Sequence, residues 1–408
     1  MKSGKNNKTD GKKLLQRPMV RIAGLVALAG VVCGAMLLPK SAAVQAYLTQ
    51  RKIDAVIADY ADKVVLHTLE RVVAKNEALN GAVAQLQANP TDAGVEEAAK
   101  AWRAARAQWQ PIQSFAFGPA AFYDFDKQVA SWPIDRPMIE HSIAQIAAGT
   151  LAIDSGLLRR KINSTQRGFF TAEHLLFRDG KPRKAAAIRP AELLYLKAVT
   201  QAIVEESLDF QASWAGSANL PPAAAARLKA AQLPERPSYA AEFAHPGAPG
   251  SRYFSRSVVL QEMFQESHTV VEDVCPLIEQ WLGSTDPRDS ESQDSRNAAS
   301  DLVNLLQGVE NAYLGGVEGN RGRAMAELVA AKDEVIDRRI RIALADVRYR
   351  INAVGDPYGE PAADHELKVR IAAASCWKLA NKFAAAIVPV CMDPATEPWA
   401  AYVPSTAL

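Results

Sequence analysis

Apolar side chains in this chain recur at three- and four-residue spacing. Ile53, Val56, Ile57, Tyr60, Val64, Val65 and Leu69 trace one face of a helix from residue 47 to about 88. Asn89-Pro90 interrupts it, and Thr91 or Asp92 is placed to cap a second helix through Val95, Ala98, Trp102, Ala105, Arg106 and Trp109. Pro111 and then Phe117-Gly118-Pro119 end that pattern. Beyond it lies a turn-rich stretch holding Phe122, Tyr123, Phe125, Trp132 and Pro133, which reads as a lining over a cleft or a bundle end. Further helices are expected at 138–147, at 168–177 and from Pro190 to about Ser213.

The second half repeats the pattern, with helices expected near 253–282, 297–316, 323–350 and 364–388. The polar run from Ser284 to Asn297 reads as a loop, partly disordered. Between the halves, residues 220–251 hold eight prolines or glycines and few large apolar residues. The expected organisation is an N-terminal segment (1–46), a helical bundle (47–233), a Pro/Gly linker (234–252) and a second bundle (253–408). Sustained alternation of β-branched and polar residues is missing, so the class is all-α: two up-and-down helical bundles. The echo between Gly168 to Phe177 and Gly308-Val309-Glu310-Asn311-Ala312-Tyr313-Leu314, with Ala four residues after Gly near a helix start, suggests that the bundles are related by duplication.

Charge changes the picture only at the N-terminus. Net charge is +2, yet the first 21 residues carry seven Lys and Arg against one Asp, so the remainder is slightly acidic and no nucleic-acid partner is expected. The basic leader precedes an apolar run from Ile22 to Leu38, followed by Ser41, Ala42, Ala43 and Ala46. That order is a secretory signal peptide cut after Ala43 or Ala46, with an uncleaved membrane anchor as the alternative. Either places the protein in the periplasm or cell envelope, touching membrane only through this segment. Gly30 and Val32 ahead of Cys33 do not fit a lipoprotein acceptor. Export would leave Cys275, Cys376 and Cys391 in an oxidising space, where the odd number allows one bridge at most. Cys376 and Cys391 are the closer pair in sequence, but they lie too far apart to bond if one long helix carries both.

The most suggestive chemistry lies at Gly168-Phe169-Phe170-Thr171-Ala172-Glu173-His174. Residues 170 and 173 share a helix face, where two ligands hold a metal or a substrate group, yet only Glu173 has a donor. The plain alternative is a buried carboxylate held by Arg106 or by a backbone donor. Trp102, Trp109, Trp132 and Phe117 read more naturally as core than as a substrate platform. His67 with Glu70 and His268 with Glu272 are half-sites of a kind common on solvated helix faces. No HExxH, nucleophile elbow or phosphate loop is present.

Four blocks carry a family resemblance: Trp102-Arg103-Ala104-Ala105-Arg106-Ala107-Gln108-Trp109, Phe115-Ala116-Phe117-Gly118-Pro119, Ser131-Trp132-Pro133-Ile134-Asp135, and Gly168 to Phe177. In this order they resemble the imelysin family, bacterial envelope proteins described as insulin-cleaving membrane proteases and linked to iron uptake. The resemblance implies a fold of two duplicated helical bundles and a Gly-x-His-x-x-Glu motif. Gly168 and Glu173 match that motif, and Phe170 stands where the histidine belongs. Gln113 replaces an acidic residue; Arg106, Trp132 and Asp135 match. The two changed positions are the metal-friendly ones, and His174 does not simply replace the lost histidine, because adjacent helix residues such as 173 and 174 point about 100° apart. The implied ligand cleft comprises Glu173, Arg106, Gln113, Trp132, Asp135 and Gly168, with Glu173 the one metal-ligand candidate for iron or zinc. Three functions follow: a binding component for metal or a small ligand in iron uptake, a metal-dependent peptidase, or a non-catalytic module with envelope protein partners. The Phe170 substitution favours binding over catalysis.

Overall fold

Helix signals and stop signals in the sequence account for most element boundaries. The computed structural model describes residues 42–355 and 363–396, so the expected leader up to Ser41 lies outside the described residues. Helix α1 (Ala42–Asp59) continues through a π-helical stretch (Tyr60–Leu66) into α2 (His67–Ala88). Thr91 then accepts a hydrogen bond from Gly94 N at 3.0 Å and starts α3 (Asp92–Trp109). The motif forms α4 (Phe169–Leu176), followed by the long α5 (Pro190–Ala215). The second half contributes α6 (Arg256–Leu277), α7 (Ala298–Leu314), α8 (Glu334–Val354) and α9 (His365–Cys391). The expected helix at 323–350 is broken, because Asp333 caps α8 through Val335 N and Ile336 N, leaving Met325–Lys332 as a separate short helix. One two-residue antiparallel pair, Phe177–Arg178 with Lys181–Pro182, is the β structure among the described residues.

From Ile53 onward the described residues form one compact unit. Within it α5 packs on α2, α2 on α3, and α4 on both α3 and α5, while α6, α7, α8 and α9 pack among themselves. The fold is thus all-α, with an N-terminal and a C-terminal group of helices. Helix α5 is buried nearly all round and is the centre of its group. Its buried acids are paired, Asp209 with Arg236 at 2.9 Å and Glu206 with Arg159 at 2.9 Å.

The Pro/Gly segment carries more of the core than its composition suggests. Tyr239 and Phe243 of a short helix (Tyr239–Phe243) are buried, Trp214 and Tyr239 lie 4.9 Å apart, and Phe117 stacks on Phe243 at 5.7 Å. One continuous apolar cluster runs from Ile53 to Cys391 through this segment. Gly308 lies in the body of α7, not near a helix start as the echo with Gly168 had it. A Cβ there would stand 2.6 Å from the Pro111 Cα, so its role is to let α7 approach the 3-10 turn Gln110–Phe115.

Candidate functional site

Helix α4 begins abruptly because Gly168 has φ +88°, and a Cβ at that position would lie 2.2 Å from the Val129 carbonyl oxygen. The turn aims α4 into the protein, where every residue from Phe169 to Leu176 is buried. Trp102 of α3 fixes the first turn by donating from its indole nitrogen to the Phe169 carbonyl at 2.9 Å. Phe170 and Glu173, one turn apart, therefore point inward, with exposures of 2% and 1%.

Each inward group meets a partner from elsewhere in the chain. The Arg106 guanidinium of α3 lies over the Phe170 ring, 4.7 Å from its centre. Arg106 also stands 3.6 Å from Asp301 of α7 and 3.5 Å from Glu291. Glu173 Oε1 accepts the Ser295 backbone N–H at 2.7 Å. Burial pushes the Glu173 carboxyl up to about 8, with the Asp294 and Asp301 charges adding to the rise and the Ser295 N–H opposing it. His174 turns to the other side, where Nδ1 lies 3.0 Å from Asp294 Oδ2. Burial works against the Asp294 carboxylate, but the His174 bond and the Arg136 and Arg178 cations outweigh it and hold its pKa low.

Three of these partners, Glu291, Asp294 and Ser295, come from the polar run 284–297. The run is irregular, as expected for a loop, but Ser290, Ser292, Asp294, Ser295 and Asn297 are buried. Arg103 of α3 holds it in place, donating to Asn297 Oδ1 at 2.7 Å and to the Ser295 carbonyl at 2.8 Å. Serines, aspartates and an asparagine make a stretch look solvated when only apolar periodicity is read.

The remaining sequence candidates separate. Gln113 donates to Asp126 at 2.7 Å, and Trp109 donates to the same oxygen at 3.1 Å. Asp135 caps the helix Arg136–Ala147 by accepting from Met138 N at 3.1 Å, so its carboxylate is engaged structurally. Trp102, Trp109 and Phe117 are core, whereas Trp132 is 37% exposed and departs from the core reading. His67 and Glu70 are 3.8 Å apart, His268 and Glu272 3.4 Å apart, and neither pair gains a third donor among the described residues.

Beside the motif helix opens a polar cavity of about 240 Å³. Arg106, Gln110, Gln113 and Asp126 line one side; Glu266, Asp273, Trp281 and Glu291 line the other. Burial pushes Glu291 up to about 7, and Arg106 opposes that rise. Burial with the Asp273 and Glu262 charges pushes Glu266 to about 7 as well. Cationic, amide and acidic groups face one small volume, a lining suited to a compact polar ligand.

The motif itself does not fit a metal ion. A metal needs several converging donors, but Glu173 is tied to Ser295, Phe170 offers a phenyl ring, and His174 is turned to Asp294. No three His, Cys, Asp or Glu side chains converge for one among the described residues.

Fold and site together define an all-helical protein with a buried polar junction between its two helix groups and a small polar cavity beside it. The imelysin family model matches residues 65–382. The chain belongs to the imelysin family. It is 25% identical over 359 residues to iron-regulated protein A of Synechococcus elongatus, covering 87% of this chain and 88% of that protein. A crystal structure from Parabacteroides distasonis, assigned to an iron-regulated protein A precursor, superposes with a TM-score of 0.67. It is 24% identical and covers 84% of this chain and 95% of its own. An imelysin-like protein from Psychrobacter arcticum shares the fold at TM-score 0.59 and 11% identity, covering 84% and 96%.

Proposed function

We propose that this chain is an exported binding protein of the cell envelope, acting in iron supply and not as a peptidase. One observation carries the reading. At the family motif the histidine position holds Phe170 under the Arg106 guanidinium, and the remaining acid, Glu173, is buried, with its pKa pushed up by that burial, and bonded to the Ser295 N–H. Phe170 offers a metal no donor and Glu173 is already engaged by the Ser295 N–H, so the pair lacks a second ligand, and a protonated carboxyl does not activate water. The motif in this chain therefore acts as a structural junction.

Binding falls instead to the neighbouring cavity, whose Arg106, Gln113, Glu266 and Glu291 side chains suit a small polar ligand. The iron connection comes from the relatives named for iron regulation. Export comes from the basic, apolar and small-residue order of residues 1–46. The test is peptide hydrolysis by the purified full chain against unfolded substrates, with and without chelator. The expected result is no turnover above the blank in either condition. Turnover that chelator abolishes would overturn the proposal.

A further inference from the structure

Two thiols outside the site stand side by side between α6 and α9. Cys275 of α6 donates to the Val271 carbonyl oxygen at 3.1 Å, and Cys376 of α9 reaches the same oxygen at 3.4 Å. Two sulfurs on one acceptor are neighbours, and the Cys275 thiol beside it, with burial, pushes the Cys376 thiol up. Both have no exposed surface. A lone buried cysteine is ordinarily a small core residue. Here a second thiol from a facing helix shares its acceptor.

The closer pair in sequence is ruled out by the same helix. Cys376 and Cys391 both lie on α9, about 22 Å apart along its axis at 1.5 Å per residue. Cβ atoms joined by a disulfide sit about 4 Å apart. Cys391 has no route to Cys376 while α9 is intact.

We propose that Cys275 and Cys376 are a cross-linking site, forming a disulfide that ties α6 to α9 when the chain folds with a disulfide oxidant. The Cys275 thiolate attacks one sulfur of the oxidant, breaking its S–S bond and releasing one thiolate. The Cys376 thiolate then attacks the Cys275 sulfur of the mixed disulfide and releases the second. The protein loses two thiol protons and two electrons; the oxidant leaves as two reduced thiols. Burial disfavours the thiolate in the folded chain, so exchange belongs to the stage before α6 and α9 close on each other. Once formed, the bond has no surface for a reductant to reach. It closes a loop of about a hundred residues, a length at which a cross-link strongly restricts the unfolded chain.

The test refolds the full chain with oxidised glutathione, followed by alkylation under non-reducing denaturing conditions and peptide mapping. The expected product joins the Cys275 and Cys376 peptides, lighter by two hydrogens, with Cys33 and Cys391 alkylated. Oxidised wild type should melt several degrees above the reduced form. Cys275→Ser and Cys376→Ser, each folded by circular dichroism, should lose that oxidant-dependent difference. Alkylation of both Cys275 and Cys376 in folded, oxidant-treated protein would overturn the proposal, as would a bridge to Cys391.

Discussion

The Arg106 guanidinium sits 4.7 Å from the centre of the Phe170 ring. That contact makes position 170 a packing position. It places a cation above an aromatic face and leaves Arg106 facing two acids, Asp301 and Glu291. Restoring the histidine should therefore not restore a metal site. Phe170→His puts an ionisable ring against a buried cation and removes the ring face. We expect a loss of about 1–3 kcal/mol, from the lost cation–π contact and the polar burial. The loss should grow below about pH 6, where the imidazole would have to ionise. Chemical denaturation at pH 8 and pH 5.5 checks this.

Glu173 should leave a mark on the pH dependence of stability. Its pKa is about 8 in the folded chain against a reference value of 4.5. The unfolded chain gives up this proton first, so the contribution is fully present below about pH 4.5. It declines as pH rises and is gone above about pH 8. Glu173→Gln keeps an acceptor for the Ser295 N–H and removes the ionisation. The variant should therefore gain on wild type from pH 5 to pH 8. Glu266 and Glu291 titrate in the same window, and taking the difference between variant and wild type cancels their part. Denaturation midpoints across the range provide the readout; parallel profiles would contradict the assignment.

Arg106 is 3% exposed and stands close to two acids. Arg106→Met fills much of the volume while stranding Asp301 without its cation. A loss of about 3 kcal/mol is expected, the scale for breaking one partner of a buried pair. The double variant Arg106→Met with Asp301→Asn should recover part of it, and thermal unfolding of wild type, the two single variants and the double variant gives the coupling.

Gly168→Ala tests the entry to the motif helix. The backbone there has φ +88°, and the added methyl would meet the Val129 carbonyl at 2.2 Å. A loss of about 2–4 kcal/mol follows from strain and overlap together. Gly81 has nothing within 4 Å of its Cβ position, so Gly81→Ala in α2 should be neutral or stabilising.

Much of the fold was legible because helices advertise themselves through apolar spacing and caps. The Ile53 to Leu69 face, the Thr91 cap and the Pro190 start appear where the sequence puts them. The site was half legible. Gly168 and Glu173 stand out by their position on the motif helix, and the Phe170 substitution is visible in the sequence. Their partners are not: Glu291, Asp294 and Ser295 lie more than a hundred residues away in a polar run, and burial of such groups depends on tertiary pairing that periodicity does not encode. Arg103, which anchors that run, looks like any helix-surface arginine until its acceptors at Ser295 and Asn297 are known. The exposure of Trp132 was missed for the same reason, since aromatic character alone does not say which side of a turn faces water.

The central claim is that the motif in this chain is a structural junction and not a metal centre. Calorimetric titration of the full chain with Fe²⁺ and Zn²⁺ tests it most directly, run on wild type and on Glu173→Ala. The account predicts no stoichiometric binding that depends on Glu173, so the two proteins should give the same isotherm. One-to-one binding by wild type that disappears in Glu173→Ala would contradict it.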